Sequence, residues 1–298
     1  MSPTVAHLSS RALIAVGGED WRSFLQGLIT QDVEALAVGE ARFGALLTPQ
    51  GRVLYDLFVV GREDGAWLDV EAAHRGAILQ RLMMYRLRAK VTIVADDTAV
   101  FAAFVPEPLP LAGRGRGWGC EPANSEPPPP LPTLSPQGGE GFVRDPRLPQ
   151  LGWRGYGSFA TTGGEATYQA HSSALGVPGP ADWGSDKIYP IEANFDLLNG
   201  IDFQKGCFVG QETTSRMKRR GIIKSRMLPI RLEGAAPAAG TEVLAGELRA
   251  GVVTSGRDGG AIGLMRLDRI EGPLTVDGRP VRVERPAWML AALVEKAP

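Results

Sequence analysis

The chain has 298 residues, of which 44% are hydrophobic and 22% charged; this is enough apolar material for a core and, at roughly 150 residues per domain, predicts about two domains. A formal net charge of -1 argues against a surface built throughout to grip nucleic acid and leaves room only for a local basic patch. Two cysteines (Cys120 and Cys207), three histidines and no CxxC argue against a disulfide scaffold, a closed zinc site or a resident iron–sulfur cluster, which takes about four protein ligands.

In chain order, residues 12–16 (ALIAV) predict a strand. Glu19 and Asp20 then open an amphipathic helix carrying Trp21, Phe24, Leu25 and Leu28 at i, i+3, i+4 and i+7. Two strands follow (ARFGALLT and RVLYDLFVVG), joined by the turn residues Pro49-Gln50-Gly51, and then a third, AWLDVE. A helical segment placing Ile78, Leu79, Leu82 and Met83 on one face precedes a further strand, LRAKVTIVA. Residues 106–142 are dense in Pro, Gly and Ser without apolar period and predict a flexible insertion, with Cys120 as an incidental thiol inside it. From Met227 onward, short β runs punctuated by Asp258-Gly259 and Asp277-Gly278 predict a small barrel or sandwich, with a domain boundary near residue 228. No apolar run approaches the roughly 20 residues that span a bilayer, and the N-terminal residues lack an export pattern, so the expectation is a cytoplasmic protein without a membrane partner.

The stretch from 205 to 221 reads KGCFVGQETTSRMKRRG. Gln211 to Arg220 suits a helix with Gly221 just past its end. Arg216, Lys218, Arg219, Arg220, Lys224 and Arg226 form a basic run with no acid among them, part of which complements a helix dipole. Lys205, that run and an approaching helix N-terminus would each favour the Cys207 thiolate, since such surroundings lower a cysteine pKa from about 8.5 by one or more units. Gly206 and Gly210 would supply a turn that exposes the sulfur or admits a ligand. The competing reading makes Cys207 a small buried hydrophobe, and the residues alone leave both open. His7, His74 and His171 lie far from it in sequence and carry no Cys/His signature. PIEANF at 190–195 places Glu192 on an extended stretch, as a hydrogen-bond acceptor for a heterocycle or as a plain surface glutamate.

Four segments carry a family resemblance: FLQGLITQDV (24–33), LLTPQGRVLYDLFV (46–59), YRLRAKV (85–91) and IDFQKGCFVGQETTSRMKRRG (201–221). Together they resemble the YgfZ family of folate-binding proteins, the CAF17-like iron–sulfur cluster assembly and insertion proteins, over nearly the whole chain except 106–142. The K-G-C-[FY]-x-G-Q-E signature is highly specific. The family is related to the T-protein, the aminomethyltransferase of the glycine cleavage system. The resemblance implies an α+β fold of three lobes around a central channel for a tetrahydrofolate: a folate-binding region of two lobes over residues 1–228 and a C-terminal β-barrel over 229–298. It implies Cys207 as a redox or transfer thiol assisted by Lys205, with Gly206, Phe208, Gly210, Gln211, Glu212, Arg216 and Arg220 completing the motif. Asp32, Asp56, Arg86 and Glu192 are the implied contacts to a reduced folate. No permanent metal is expected, and Cys207 would serve as a transient cluster ligand.

Two positions depart from the family pattern. Where the T-protein has an Asp-Asp pair this chain has Tyr55-Asp56, which weakens an aminomethyl-transfer reading, and Ser172 stands where relatives commonly carry arginine. The function implied is that of an accessory protein for iron–sulfur enzymes, including radical enzymes that thiomethylate tRNA, rather than a classical enzyme. Its partners would be those client enzymes and assembly proteins. The alternative is a folate-dependent one-carbon transferase or demethylase. Direct nucleic-acid binding is disfavoured, because no aromatic residue interleaves the arginines of the basic run.

Overall fold

A computed structural model describes residues 3–106, 141–221, 223–257 and 259–295. The chain begins with β1 (Thr4–His7), β2 (Arg11–Gly17), α1 (Trp21–Gln26), β3 (Ala41–Leu47), β4 (Val53–Arg62), β5 (Gly65–Glu71), α2 (Arg75–Arg86) and β6 (Thr92–Asp96). Five of these strands form an antiparallel sheet in the order β3-β4-β5-β2-β6. Strand side chains alternate between faces. On one face Ile14, Val16, Leu57, Val59, Leu68 and Val70 pack with Trp21 and Leu25 of α1 and Ile78 and Leu82 of α2. By the same alternation Arg11, Asp56, Phe58 and Asp69 stand on the opposite, inner face.

The second lobe adds β7 (Val100–Phe104), β8 (Gly141–Arg144), β9 (Trp153–Tyr156) and α3 (Glu165–Ala174), with the sheet order β1-β7-β9-β8. Its apolar side, with Ala6, Ala102, Phe104 and Tyr156, meets Leu13, Val60 and Trp67 of the first sheet in a shared core. The short helix α4 (Pro180–Trp183), a run of turns and α5 (Gln211–Arg220) lead to the third lobe. There β10 (Ser225–Arg231), β11 (Glu242–Ala245), β12 (Leu248–Arg257), β13 (Gly260–Arg266), β14 (Leu274–Val276) and β15 (Arg279–Val283) close into a barrel, followed by α6 (Ala287–Glu295). Asp277 and Gly278, at φ 50° and 73°, make the two-residue turn between β14 and β15, as the Asp-Gly pair predicts. The three lobes meet in one cluster that joins Phe43, Leu47 and Phe58 of the first sheet to Trp183, Phe195 and the barrel residues Met227 and Ile262.

Several expectations change. The strand expected over 87–95 begins only at Thr92, because Leu87, at φ 41°, starts a turn. Met83 does not join the apolar face of α2; it is solvent-exposed. Gly141 and Phe142, expected in the flexible insertion, are buried residues of β8, while 107–140, with Cys120, lie outside the described residues. The barrel closes, which removes the sandwich alternative. Glu192 sits on turns rather than an extended stretch: the Ala193, Asn194 and Phe195 N–H groups donate to the carbonyls of Tyr189, Ile191 and Pro190.

Candidate functional site

The cysteine loop is strapped to the segment that follows α1. Asp202 N–H donates to Thr30 O at 3.0 Å, and Val209 N–H donates to Gly27 O at 3.1 Å. Between these ties, the Lys205 ammonium donates to the carbonyls of Gln26, Ile29 and Gln31 at 2.7, 2.8 and 2.9 Å. Three N–H donors thus meet three acceptors, and burial pulls the Lys205 pKa down to about 8. Phe208 enters the central apolar cluster, and Val209 packs against the core of the first sheet. Cys207, between two anchored neighbours, is exposed, which removes the buried-hydrophobe reading. The Lys205 ammonium is committed to these three carbonyls, so it positions the loop.

The two glycines differ. Gly210 has φ 80°, and a Cβ there would come within 2.5 Å of Thr48 O and 3.0 Å of Gly51 Cα, so the loop rests directly on the β3–β4 turn. Gly206 has open space around its missing Cβ and no steric need to be glycine. Gln211 Oε1 accepts from Phe208 N–H at 3.3 Å and opens α5, which runs to Arg220 and ends at Gly221 in the left-handed conformation. Glu212 is exposed and pairs with Arg216 at 3.6 Å. Lys218, Arg219 and Arg220 occupy the last turn, where they complement the dipole, at the end of the helix far from Cys207. Arg226 leaves the basic run altogether: it is buried, pairs with Asp196 at 2.8 Å and donates to Ile191 O at 2.9 Å.

On the inner face the structure reveals a charged cluster absent from the expectations. Arg11 donates to Asp56 at 2.9 Å and to Asp69 at 2.7 Å. Arg154 and the Tyr156 hydroxyl donate to the other Asp69 oxygen at 2.8 and 3.1 Å. Arg147 holds Asp145 at 2.7 Å and donates to the Tyr168 hydroxyl at 2.9 Å. Three carboxylates and three guanidinium groups balance in charge, all buried. The three guanidinium carbons surround the Phe58 ring at 3.8, 4.9 and 5.4 Å from its centroid. Burial alone would raise the Asp69 and Asp145 pKa values, but the adjacent arginines outweigh it and hold both below the usual carboxylate range. Asp56 and Asp69 stood on expected strands, yet Arg11 lay just outside one, and Arg154 and Tyr156, which meet Asp69, come from β9, far along the chain.

The four implied folate contacts do not form one set. Arg86 is exposed at the end of α2, on the opposite side of the sheet from Asp56. The Asp32 carboxylate accepts from Gln26 at 2.7 Å, from Ala35 N–H at 3.3 Å and from Arg42 at 3.4 Å; these contacts outweigh its burial and hold its pKa low. Asp56 is taken by Arg11. Glu192 is half-buried, which pushes its pKa up, and accepts from Tyr189 N–H at 3.1 Å. A surface cleft of about 660 Å³, lined by His7, Trp67, Phe101, Tyr156 and Phe159 among others, includes none of the four. Arg86 is thus separated from Asp56 by the first sheet, so the four do not form one contact set. Among the described residues no group of three or more His, Cys, Asp or Glu side chains is placed to hold a metal ion, and no helix is long and apolar enough to cross a membrane.

Residues 3–107 match the family described as GCVT N-terminal domain, and residues 224–291 match CAF17, C-terminal beta-barrel domain. The mouse protein named iron-sulfur cluster assembly factor IBA57, mitochondrial, is 30% identical over 302 residues, covering 92% of this chain and 80% of the mouse protein. The chain belongs to the CAF17/IBA57 family. The Neurospora crassa IBA57 homolog is 34% identical over 250 residues, covering 77% of this chain and 54% of that protein. The crystal structure of the glycine cleavage system aminomethyltransferase T from Bartonella henselae superposes with a TM-score of 0.72 at 18% identity, covering 96% of this chain and 86% of that one. At that identity the likeness speaks for the fold: T-protein-like, α+β, with a closed C-terminal barrel. These IBA57 relatives are named mitochondrial proteins, which overturns the cytoplasmic expectation.

Proposed function

We propose that this CAF17/IBA57 family member acts in iron–sulfur cluster assembly by lending Cys207 as one iron ligand of a cluster shared with a partner protein. The observation that carries the reading is an exposed thiol on a loop anchored on both sides, by the Lys205 ammonium and by Phe208 and Val209. One thiolate supplies one of about four ligands, so the partner holds the remainder. As the sulfur–iron bond forms, the thiol proton leaves to solvent and one existing iron ligand departs; a client thiolate later displaces Cys207, with no net redox change. The names of the relatives as iron-sulfur cluster assembly factors support this. The YgfZ-like motifs extend the proposal to [4Fe–4S] clients, including radical enzymes that thiomethylate tRNA.

A Cys207→Ser chain tests this in a strain lacking the native protein, by the activity of a [4Fe–4S] client. No rescue at normal abundance is expected, and full rescue would remove the thiol from the mechanism. Folate binding is a separate part of the proposal, supported by the T-protein-like fold. Anaerobic calorimetry with a reduced folate, read together with thermal protection, tests it independently; no heat and no protection sink it. The transferase reading loses support, since Tyr55 turns to the helical side against His74 and Asp56 is held by Arg11.

A further inference from the structure

Helix α2 is attached to the sheet through Ile78 and Leu82, with Leu79 half-buried beside them. Its last turn does the opposite. Met83 is 46% exposed, Met84 68%, Tyr85 37% and Leu87, one residue past the helix, 87%. Leu87 has φ 41° and ψ -106°, a combination that costs glycine little and strains any residue with a side chain. A leucine here spends conformational energy and gains no burial within the chain. Its side chain is therefore better explained by something outside the fold.

The charge around it is one-sided, with no acid between Arg75 and Ala95. Arg75 is paired with Asp97 at 2.9 Å and Lys90 with Glu19 at 2.7 Å, while Arg81 lies 5.7 Å from the Tyr85 ring centroid. Arg86 and Arg88 are exposed and have no carboxylate partner among the described residues. The surface thus offers flexible apolar side chains flanked by two unneutralised guanidinium groups.

We propose that the end of α2 is a docking surface for an acidic amphipathic segment of a partner protein. Apolar residues of that segment cover Met84 and Leu87, and its carboxylates meet Arg86 and Arg88. Methionine adapts to irregular apolar surfaces, and complementary charge steers the encounter. One helical turn of contact makes a weak, transient interface, below about 1,200 Å². A bilayer fits less well, because membrane-surface helices carry a long apolar face rich in Trp, Phe or Leu over many turns. RNA would use the arginines but has no need of Leu87. The inference is independent of Cys207.

The test is fluorescence anisotropy of a labelled synthetic peptide with Leu at i, i+3, i+4 and i+7 and Glu elsewhere, beside the same pattern with Lys for Glu. Vesicles containing phosphatidylserine and a single-stranded RNA are titrated in parallel. The wild type should bind the Glu peptide and not the Lys peptide. Leu87→Gly relieves the backbone, so it should keep or raise the Tm while weakening Glu-peptide binding tenfold or more; Arg86→Glu with Arg88→Glu should weaken it similarly. No binding by the wild type, wild-type affinity in Leu87→Gly, equal binding of the Lys peptide, or Leu87-independent binding of vesicles or RNA in place of the peptide would each overturn the proposal.

Discussion

At the scale of single residues, Cys207 and Lys205 divide the work that their proximity in sequence had merged. Cys207 is exposed, so Cys207→Ser should leave stability within about 0.5 kcal/mol of wild type, as measured by urea unfolding. Lys205 is the anchor. Lys205→Met strands three carbonyls that lose their donor, and a cost of about 1–3 kcal/mol is expected in the same measurement. Arginine should restore little, since a planar fork does not reproduce three divergent ammonium bonds. The motif made this region readable as a site. It hid the role of Lys205, because the acceptors lie 174 to 179 residues away and no local pattern announces such a contact.

At the scale of elements, the loop is held by how closely backbone meets backbone. Gly210→Ala would drive a Cβ against Thr48 O from a left-handed conformation, so a loss of more than about 1 kcal/mol is expected, whereas Gly206→Ala should be near neutral. Comparing the Tm values of the two variants checks this. Helix α5 was legible to the residue because Gly221 marks its end and polar residues fill its interior. Strand β7 was not: Val100–Phe104 is buried at every position, so it lacks the alternation that identifies a half-buried strand. The end of α2 misled for a related reason, since Met83 follows Leu79 by four residues, beside Ile78 and Leu82, yet finds no core to enter.

At the scale of the whole molecule, the inner ion cluster ties the first two lobes together, and its partners are too distant in sequence for any window to pair them. Asp69 lies on β5 and its partners Arg154 and Tyr156 on β9. A buried pair broken on one side leaves an uncompensated charge, so Arg154→Met should cost about 3–5 kcal/mol. The pH dependence follows from the depressed Asp69 and Asp145 pKa values. With the folded values below the unfolded one of about 3.9, their stabilisation is present above that pH and is lost as pH falls toward the folded values. The urea midpoint should therefore drop steeply below about pH 4, and Asp69→Asn should flatten that acid limb while lowering the neutral plateau. A wild-type midpoint unchanged from pH 6 to pH 3 would contradict this reading of the cluster.

The most direct measurement of the proposed role is anaerobic native mass spectrometry of the chain mixed with a cluster-loaded carrier protein. If Cys207 completes a shared ligand set, the wild-type chain should form a 1:1 complex that retains the iron and sulfide mass, and Cys207→Ser should form no cluster-bearing complex. A Cys207→Ser complex that keeps the cluster as fully as the wild type would contradict it.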